Sequence, residues 1–348
     1  MNRRRPRTRL RTVAVSAVCA LSALAVVACG SSSSSSSSNG TKTVAGALPA
    51  PKEVTLILDF VPNAVHAGIY RAVAENYYKQ YNINLKIIPP SETSSTLKLI
   101  DAGSAQFGLA DGIDVGTQVG EGHNAKAVMA VVQRPLGGPI TLASAHLKSP
   151  AELQGKTVGI TGVPSDTATL NTTVIHAGGN PKKINVVTIG FNGVQDLEAG
   201  KVSAFTGFWP ADGVQLEVNG HPITVFKLDE WGGPAYPGLV LFTTTKIIAE
   251  DPALVKAFVA ATVKGYEATV KEPKKSLEDL LHQNPTLQKN FTEASLNKYL
   301  PLFTDEGKIK YGTLQPEKVA DLAKWMAENK LVKTPFTAER YGTNEFLP

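Results

Sequence analysis

LDFVPNAVHAGIY, residues 58–70, is where an apolar run gives way to a turn that gathers Asp59, Asn63 and His66 within eight positions. The run ahead of it, Val54–Leu58, is apolar on both faces, as strands buried within α/β layers are. Pro62 and Asn63 read as the turn. The residues after them read as a helix, with His66 and Tyr70 four apart and so on one face. A strand-to-helix turn requires only one capping side chain, such as Asp or Asn. Asp59, Phe60, Asn63 and His66 together exceed that requirement, which marks the turn as a candidate ligand site.

Working outward, further strand-like runs fall at residues 85–88, 107–110, 127–132, 157–160, 185–189, 224–227 and 239–243, with helical stretches between most of them. This alternation predicts βαβ units and an α/β fold. Two segments echo each other, STLKLIDAGSAQFGLAD from Ser95 and NGVQDLEAGKVSAFTGF from Asn192. Each runs a helix into a glycine (Gly103, Gly200), the residue that most easily closes a helix in the left-handed conformation, and then a short strand. The echo suggests one such unit in each of two lobes. Beyond Thr245 the pattern turns helical, with Asp251-Pro252 as cap and first position. Leu254, Val255, Phe258, Val259, Val263 and Tyr266 then form a core-facing stripe.

Other strand ends carry further candidates. TGFWPADGVQL (206–216) supplies Phe208, Trp209 and Asp212, and WGGPAYPG (231–238) supplies Tyr236. Aromatic rings suit a flat ligand, and a carboxylate can accept paired N–H donors from an amino-substituted heterocycle. TGVPSDTATL (161–170) places Ser165 and Asp166 at a helix start, where free backbone N–H groups meet a capping side chain or an anion. Catalytic signatures are missing. Gly155-Lys156-Thr157 lacks the first glycine of a P-loop, Pro150 standing in its place, and no Gly-x-Ser-x-Gly or His-Glu-x-x-His pattern occurs. The six histidines are scattered without ligand spacing, so neither a metal nor a cofactor is expected.

The first residues set an expectation about compartment. Six arginines between Arg3 and Arg11 precede an apolar run from Val13 to Ala28, and small residues lead into Cys29. That order is a secretory signal, and the run is shorter than the roughly 20 residues of a spanning helix. Removing residues 1–29 leaves 29 basic against 30 acidic residues. There is then no basic field to favour nucleic acid. Cys19 and Cys29 are the only cysteines, so a disulfide within the mature body is not expected. The serine run and Ala/Pro stretch after Gly30 cannot bury enough apolar surface to order themselves, and read as a tether.

Cys29 and the residues before it resemble a bacterial lipoprotein box, with the cysteine as the acylated mature N-terminus. From about residue 53 to 345 the chain resembles ABC-importer substrate-binding proteins of the thiamin-pyrimidine-synthase-like family, close to those that bind formylaminopyrimidine precursors of thiamin. LDFVPNAVHAGIY is similar to that family's opening, Leu-Asp-Trp-x-Pro-Asn-x-x-His-x-Gly-x-Tyr, and GFWPADGVQL to its Phe-Trp-x-x-Glu-Gly segment. Phe60 stands for an indole and Asp212 for a longer carboxylate.

The resemblance implies a two-lobed periplasmic-binding-protein-like fold (type II) with two crossing hinge strands, near residues 138–144 and 240–244. It implies a signal peptide over 1–28, a lipidated Cys29 and tether over 29–52, lobe I over 53–141 plus 244–348, and lobe II over 142–243. Asp59, Phe60, Asn63, His66, Tyr70, Ser165, Phe208, Trp209, Asp212 and Tyr236 form the expected ligand set. The expected protein is a non-catalytic monomer on the outer face of the bacterial cell membrane, passing a small heterocycle to an ABC permease. Two alternatives stay open. An anion such as a sulfonate or nitrate would call on Arg134 or Arg71. A pyrimidine synthase on the same fold would draw on pyridoxal phosphate and a cysteine-rich motif.

Overall fold

The computed structural model describes residues 43–92 and 95–348. The expected signal peptide, Cys29 and the serine run lie outside the described residues.

Among the described residues, ten strands build two five-stranded sheets. The first contains β1 (Lys52–Ile57), β2 (Ile83–Ile88), β3 (Phe107–Ala110), β4 (Ala125–Val132) and β10 (Leu239–Thr244), in the order β2-β1-β3-β10-β4. The second contains β5 (Gly137–Leu142), β6 (Thr157–Ile160), β7 (Asn185–Thr188), β8 (Ala204–Phe208) and β9 (Ile223–Val225), in the order β7-β6-β8-β5-β9. The two sheets share one plan. Three strands run parallel, β2-β1-β3 in one and β7-β6-β8 in the other. A fourth strand, β10 or β5, runs antiparallel to both of its neighbours. β10 lies across the second sheet's sequence from the rest of its own sheet, while β5 is the first strand formed after the chain enters the second sheet. The chain leaves the first sheet after β4, builds the second, and returns as β10.

The apolar runs are strands because they are buried on both faces. β3 and β10 are buried at every position, which suits FGLA and LVLFTT. The second sheet is thinner, and β7 and β9 have no fully buried residue. The stripe read on the 252–271 region is helix Pro252–Lys271, with all six of its named residues buried. It crosses helix Ala67–Ala74 closely. A Cβ on Gly68 would stand 2.2 Å from the Tyr266 ring, and one on Gly265 would stand 2.1 Å from the Gly68 carbonyl oxygen. Those glycines let the opening turn sit hard against the core. Among the described residues no helix is long and apolar enough to cross a membrane.

Two boundary expectations need correcting. The tether does not run to residue 52. Val44 N–H donates to Gln80 O and Leu48 N–H to Tyr81 O, Leu48 is buried, and β1 begins at Lys52. Leu48 gives the segment an apolar anchor that the serine run lacks. The crossings also fall earlier than expected. Gly137 already pairs with Phe208, and Leu239 already pairs with Val132, so the chain changes sheets within residues 133–136 and 226–238. Strand pairing ends the first crossing four positions before Thr141 and the second before Val240, where apolar composition alone shows no break.

Candidate functional site

Four strand C-termini, those of β1, β3, β6 and β8, end at one cavity between the two sheets. It has a volume of about 70 Å³ and is lined by Asp59, Phe60 and Asn63 after β1, Ala110, Asp111 and Asp114 after β3, Thr161, Ser165 and Asp166 after β6, and Gly207, Phe208 and Asp212 at β8. Leu97, Leu109, Val163 and Ala211 complete its walls. Ligands of open α/β sheets bind at this end of the strands, where the loops diverge.

The opening turn is a network in which each group fixes the next. Asn63 is extended (φ −153°) and its Oδ1 accepts the Val65 N–H at 3.0 Å. The Asn63 N–H donates back to His66 Nδ1 at 3.1 Å. This is a reciprocal capping box with histidine in the place usually held by Glu or Gln. Because Nδ1 accepts, the ring proton sits on Nε2, which donates to Asp59 Oδ1 at 2.8 Å. His66 is fully buried and Asp59 nearly so. His66 therefore stands behind Asp59, outside the cavity wall, and holds that carboxylate in place.

At β8 the chain turns through one π-helical turn, Trp209–Gly213. Asp212 Oδ2 accepts the Phe208 N–H at 2.8 Å. Gly207 leaves the room for it, since a Cβ there would come within 2.7 Å of Asp212 Oδ2 and 2.6 Å of the Phe205 ring. Burial pushes the Asp212 carboxyl up to about 6, against the lowering effect of the Phe208 N–H.

Three acids complete the site, and Asp111 and Asp114 were not among the sequence candidates. Asp111 caps helix Gly112–Gly120 through the Ile113 N–H at 2.7 Å and meets Tyr236 Oη at 3.2–3.3 Å. Asp114 accepts both the N–H and the hydroxyl of Ser165, each at 2.9 Å. Val163, the residue capping helix Pro164–His176, offers no side-chain hydrogen bond, so a carboxylate from the first half serves that helix start in the second. Asp166 accepts the N–H and hydroxyl of Thr161 and the Gly162 N–H. Burial raises all three carboxyls, Asp114 to about 7, and Asp111 is raised further by the neighbouring Asp114.

Of the expected ligand set, Asp59, Phe60, Asn63, Ser165, Phe208 and Asp212 line the cavity. Tyr236 is buried behind Asp111. Trp209 lies outside the cavity, with Lys227 Nζ 4.8 Å from its ring centre. Tyr70 faces away, toward Asn284, and its carbonyl accepts from Gln283. Helical spacing put Tyr70 beside His66, but residues 64–66 form a 3-10 turn before the α-helix starts, which changes the angle between them. Ser165 is bound to Asp114, so its N–H is not open to an anion. Neither arginine considered for an anion lines the cavity. Arg71 is buried among Glu75, Glu272 and Asp279, and Arg134 pairs with Asp229.

Two sheets of the plan described, with strand ends facing a shared cavity, define the two-lobed type II periplasmic-binding-protein fold. The alkanesulfonate-binding protein SsuA from Xanthomonas axonopodis pv. citri, bound to MOPS, superposes with a TM-score of 0.69 at 14% identity, over 85% of this chain and 99% of that one. The family model described as NMT1/THI5 like matches residues 63–276, and the chain belongs to that family. The chain is 28% identical over 295 residues to a formylaminopyrimidine-binding protein of Halalkalibacterium halodurans, covering 83% of this chain and 89% of that one. It is 25% identical over 302 residues to a 4-amino-5-hydroxymethyl-2-methylpyrimidine phosphate synthase of Legionella pneumophila, covering 85% and 92%.

Proposed function

We propose that this protein is the lipid-anchored solute-binding component of an ABC importer. In this reading it captures a small aminopyrimidine, such as formylaminopyrimidine, and passes it to the membrane permease. One observation carries the choice of cargo: the cavity is walled by apolar side chains and carboxylates, with no Lys, Arg or His among its lining residues. Asp59 and Asp212 accept N–H donors from opposite sides of a flat ring, and Phe60 and Phe208 flank it. A sulfonate or nitrate would instead face carboxylates on every side, at a Coulombic cost that grows as water is excluded.

The name of the Halalkalibacterium halodurans relative supports the same cargo. The cavity is smaller than the roughly 300–1,000 Å³ of a typical ligand pocket, which supports a hinged opening of the two lobes for entry. Cys29 would hold the body near the membrane through its acyl chains, and a monomer suits delivery to a permease.

The test is isothermal titration of the full chain, unfolded and refolded to remove carried solute, with formylaminopyrimidine and hydroxymethylpyrimidine. Micromolar or tighter binding of either is the expected result, and binding of taurine or nitrate in preference to both would reverse the assignment. The Legionella pneumophila relative gives a synthase reading some support. A pyridoxal absorbance band on the protein mixed with pyridoxal phosphate would favour it. Against it, the only cysteines are Cys19 and Cys29, whereas the resemblance associates synthases with a cysteine-rich motif.

A further inference from the structure

We infer that the cavity selects solutes bearing a positive charge spread over N–H donors, of the amidinium or aminopyrimidinium kind, over neutral amides of the same shape. The inference rests on the solute-binding reading and specifies the charge that this site takes.

The argument starts from which carboxylate oxygens are already engaged. Asp111 and Asp114 have both oxygens in contact with Tyr236, Ile113 and Ser165. Asp166 is held by Thr161 and Gly162. All three of those Asp166 bonds fall on Oδ2, so Asp59 differs from Asp111 and Asp114. Asp59 is only 7% exposed and lines the cavity, its Oδ1 takes the His66 proton, and its Oδ2 has no hydrogen-bond partner among the described residues. His66 cannot supply a compensating positive charge without giving up a bond, because its Nδ1 is the acceptor for the Asn63 N–H.

Asp59 is thus a buried carboxylate with a neutral donor behind it and no cation beside it, an arrangement that costs free energy until a positive partner arrives. Asp212 faces the same cavity from the other sheet. Burial raises the Asp212 and Asp114 carboxyls, and the neighbouring Asp166 raises both a little further. A flat cation between apolar walls would satisfy the open Asp59 oxygen through a charge-assisted bond, which is stronger than a neutral one.

The test uses the full-length chain and two pairs of compounds, the first matched in shape. Benzamidinium and benzamide are both flat and carry the same number of heavy atoms, and only the first is charged at neutral pH. Titration calorimetry, with thermal shift as a second readout, is expected to show benzamidinium binding at least about tenfold more tightly, a difference of about 1.4 kcal/mol. Asp59→Asn should remove most of that preference. Equal binding of the two, tighter binding of benzamide, or no binding of either overturns the inference, and the unmutated protein alone decides this.

The second pair is formylaminopyrimidine and the same ring with its aminomethyl group free. If neither pyrimidine binds while benzamidinium is still preferred, the aminopyrimidine cargo fails and the charge selection stands. If both pyrimidines bind but benzamidinium gains nothing over benzamide, the cargo stands and the charge selection fails.

Discussion

Asp59 and Asp212 occupy matching places, each just past a strand end of the two sheets, yet they are held in opposite ways. Asp59 is fixed by a chain of side-chain and backbone bonds through His66 and Asn63, all buried. Asp212 accepts backbone N–H groups only, on a π-turn, and burial pushes its carboxyl up to about 6. One carboxylate is therefore braced by side chains, while the other, with its carboxyl raised by burial, is expected to take up a proton closer to neutral pH. The comparison suggests a division of labour in which the first sheet presents a rigid acceptor and the second an adjustable one.

The largest expected effect breaks the rigid side. His66→Ala would leave the Asn63 N–H and Asp59 Oδ1 without partners in a buried turn and open a cavity behind them. Unsatisfied buried groups cost roughly 1–3 kcal/mol each, so urea unfolding is expected to show a loss of about 3 kcal/mol or more. A loss below about 0.5 kcal/mol, the scale of an ordinary surface substitution, would show that the network holds nothing in place.

Next in size is the pH response of the adjustable side. Asp114 and Asp212 have folded-state values of about 7 and about 6, above the usual 3.9 of an unfolded aspartate. Between those limits the folded protein binds more protons than the unfolded chain, so stability falls as pH rises. Their contribution is complete below about pH 4 and is lost as pH climbs through 6 and then 7. Unfolding at pH 5 and pH 8 in the absence of solute should differ by on the order of 2 kcal/mol in favour of pH 5. Greater stability at pH 8 would contradict the assignment.

How far these features could be read from sequence depends on the range of the interactions. The buried strands were legible because each is apolar along its own length, and the capping turn because Asn63, His66 and Asp59 lie within eight residues. Asp111 and Asp114 were not, since ADGID reads only as a strand end and helix cap. Asp114 meets its partner Ser165 across 51 positions and between sheets. Trp209 and Tyr70 lie outside the cavity lining for a related reason. Residue type favoured a ligand contact, while the π-turn and the 3-10 turn that precede the regular helices aim those rings elsewhere.

Smaller, and sharper as a discriminator, is Asp212→Asn. Loss of the charge should weaken an N–H-rich solute by about 1.5–2 kcal/mol, in the range of a hydrogen bond to a charged group. The same change removes a carboxylate whose ionisation opposes folding, so unfolding at pH 8 should show the variant as stable as the parent or more so. Weaker binding together with unchanged or raised stability separates Asp212 from His66, where structural loss is expected. If Asp212→Asn also destabilised the protein at pH 8, the two sides would be alike and the proposed division would fall.

The smallest expected effect concerns what brings the two sides together. Phe60, after β1, meets Phe191, after β7, edge to face with ring centres 4.4 Å apart and planes at 67°. Each ring comes from a different sheet, so the proposed hinged opening of the lobes would separate them. Edge-to-face pairs contribute roughly 0.5–1.5 kcal/mol beyond area burial. Phe191→Leu keeps most of the apolar surface and loses the ring geometry. It should raise the solute dissociation rate several-fold, leave the association rate nearly constant, and change urea stability little. Stopped-flow measurement separates the two rates. A change confined to association would place Phe191 on the entry path, and an unchanged dissociation rate would mean that closure depends on other contacts, such as Asp114 on Ser165.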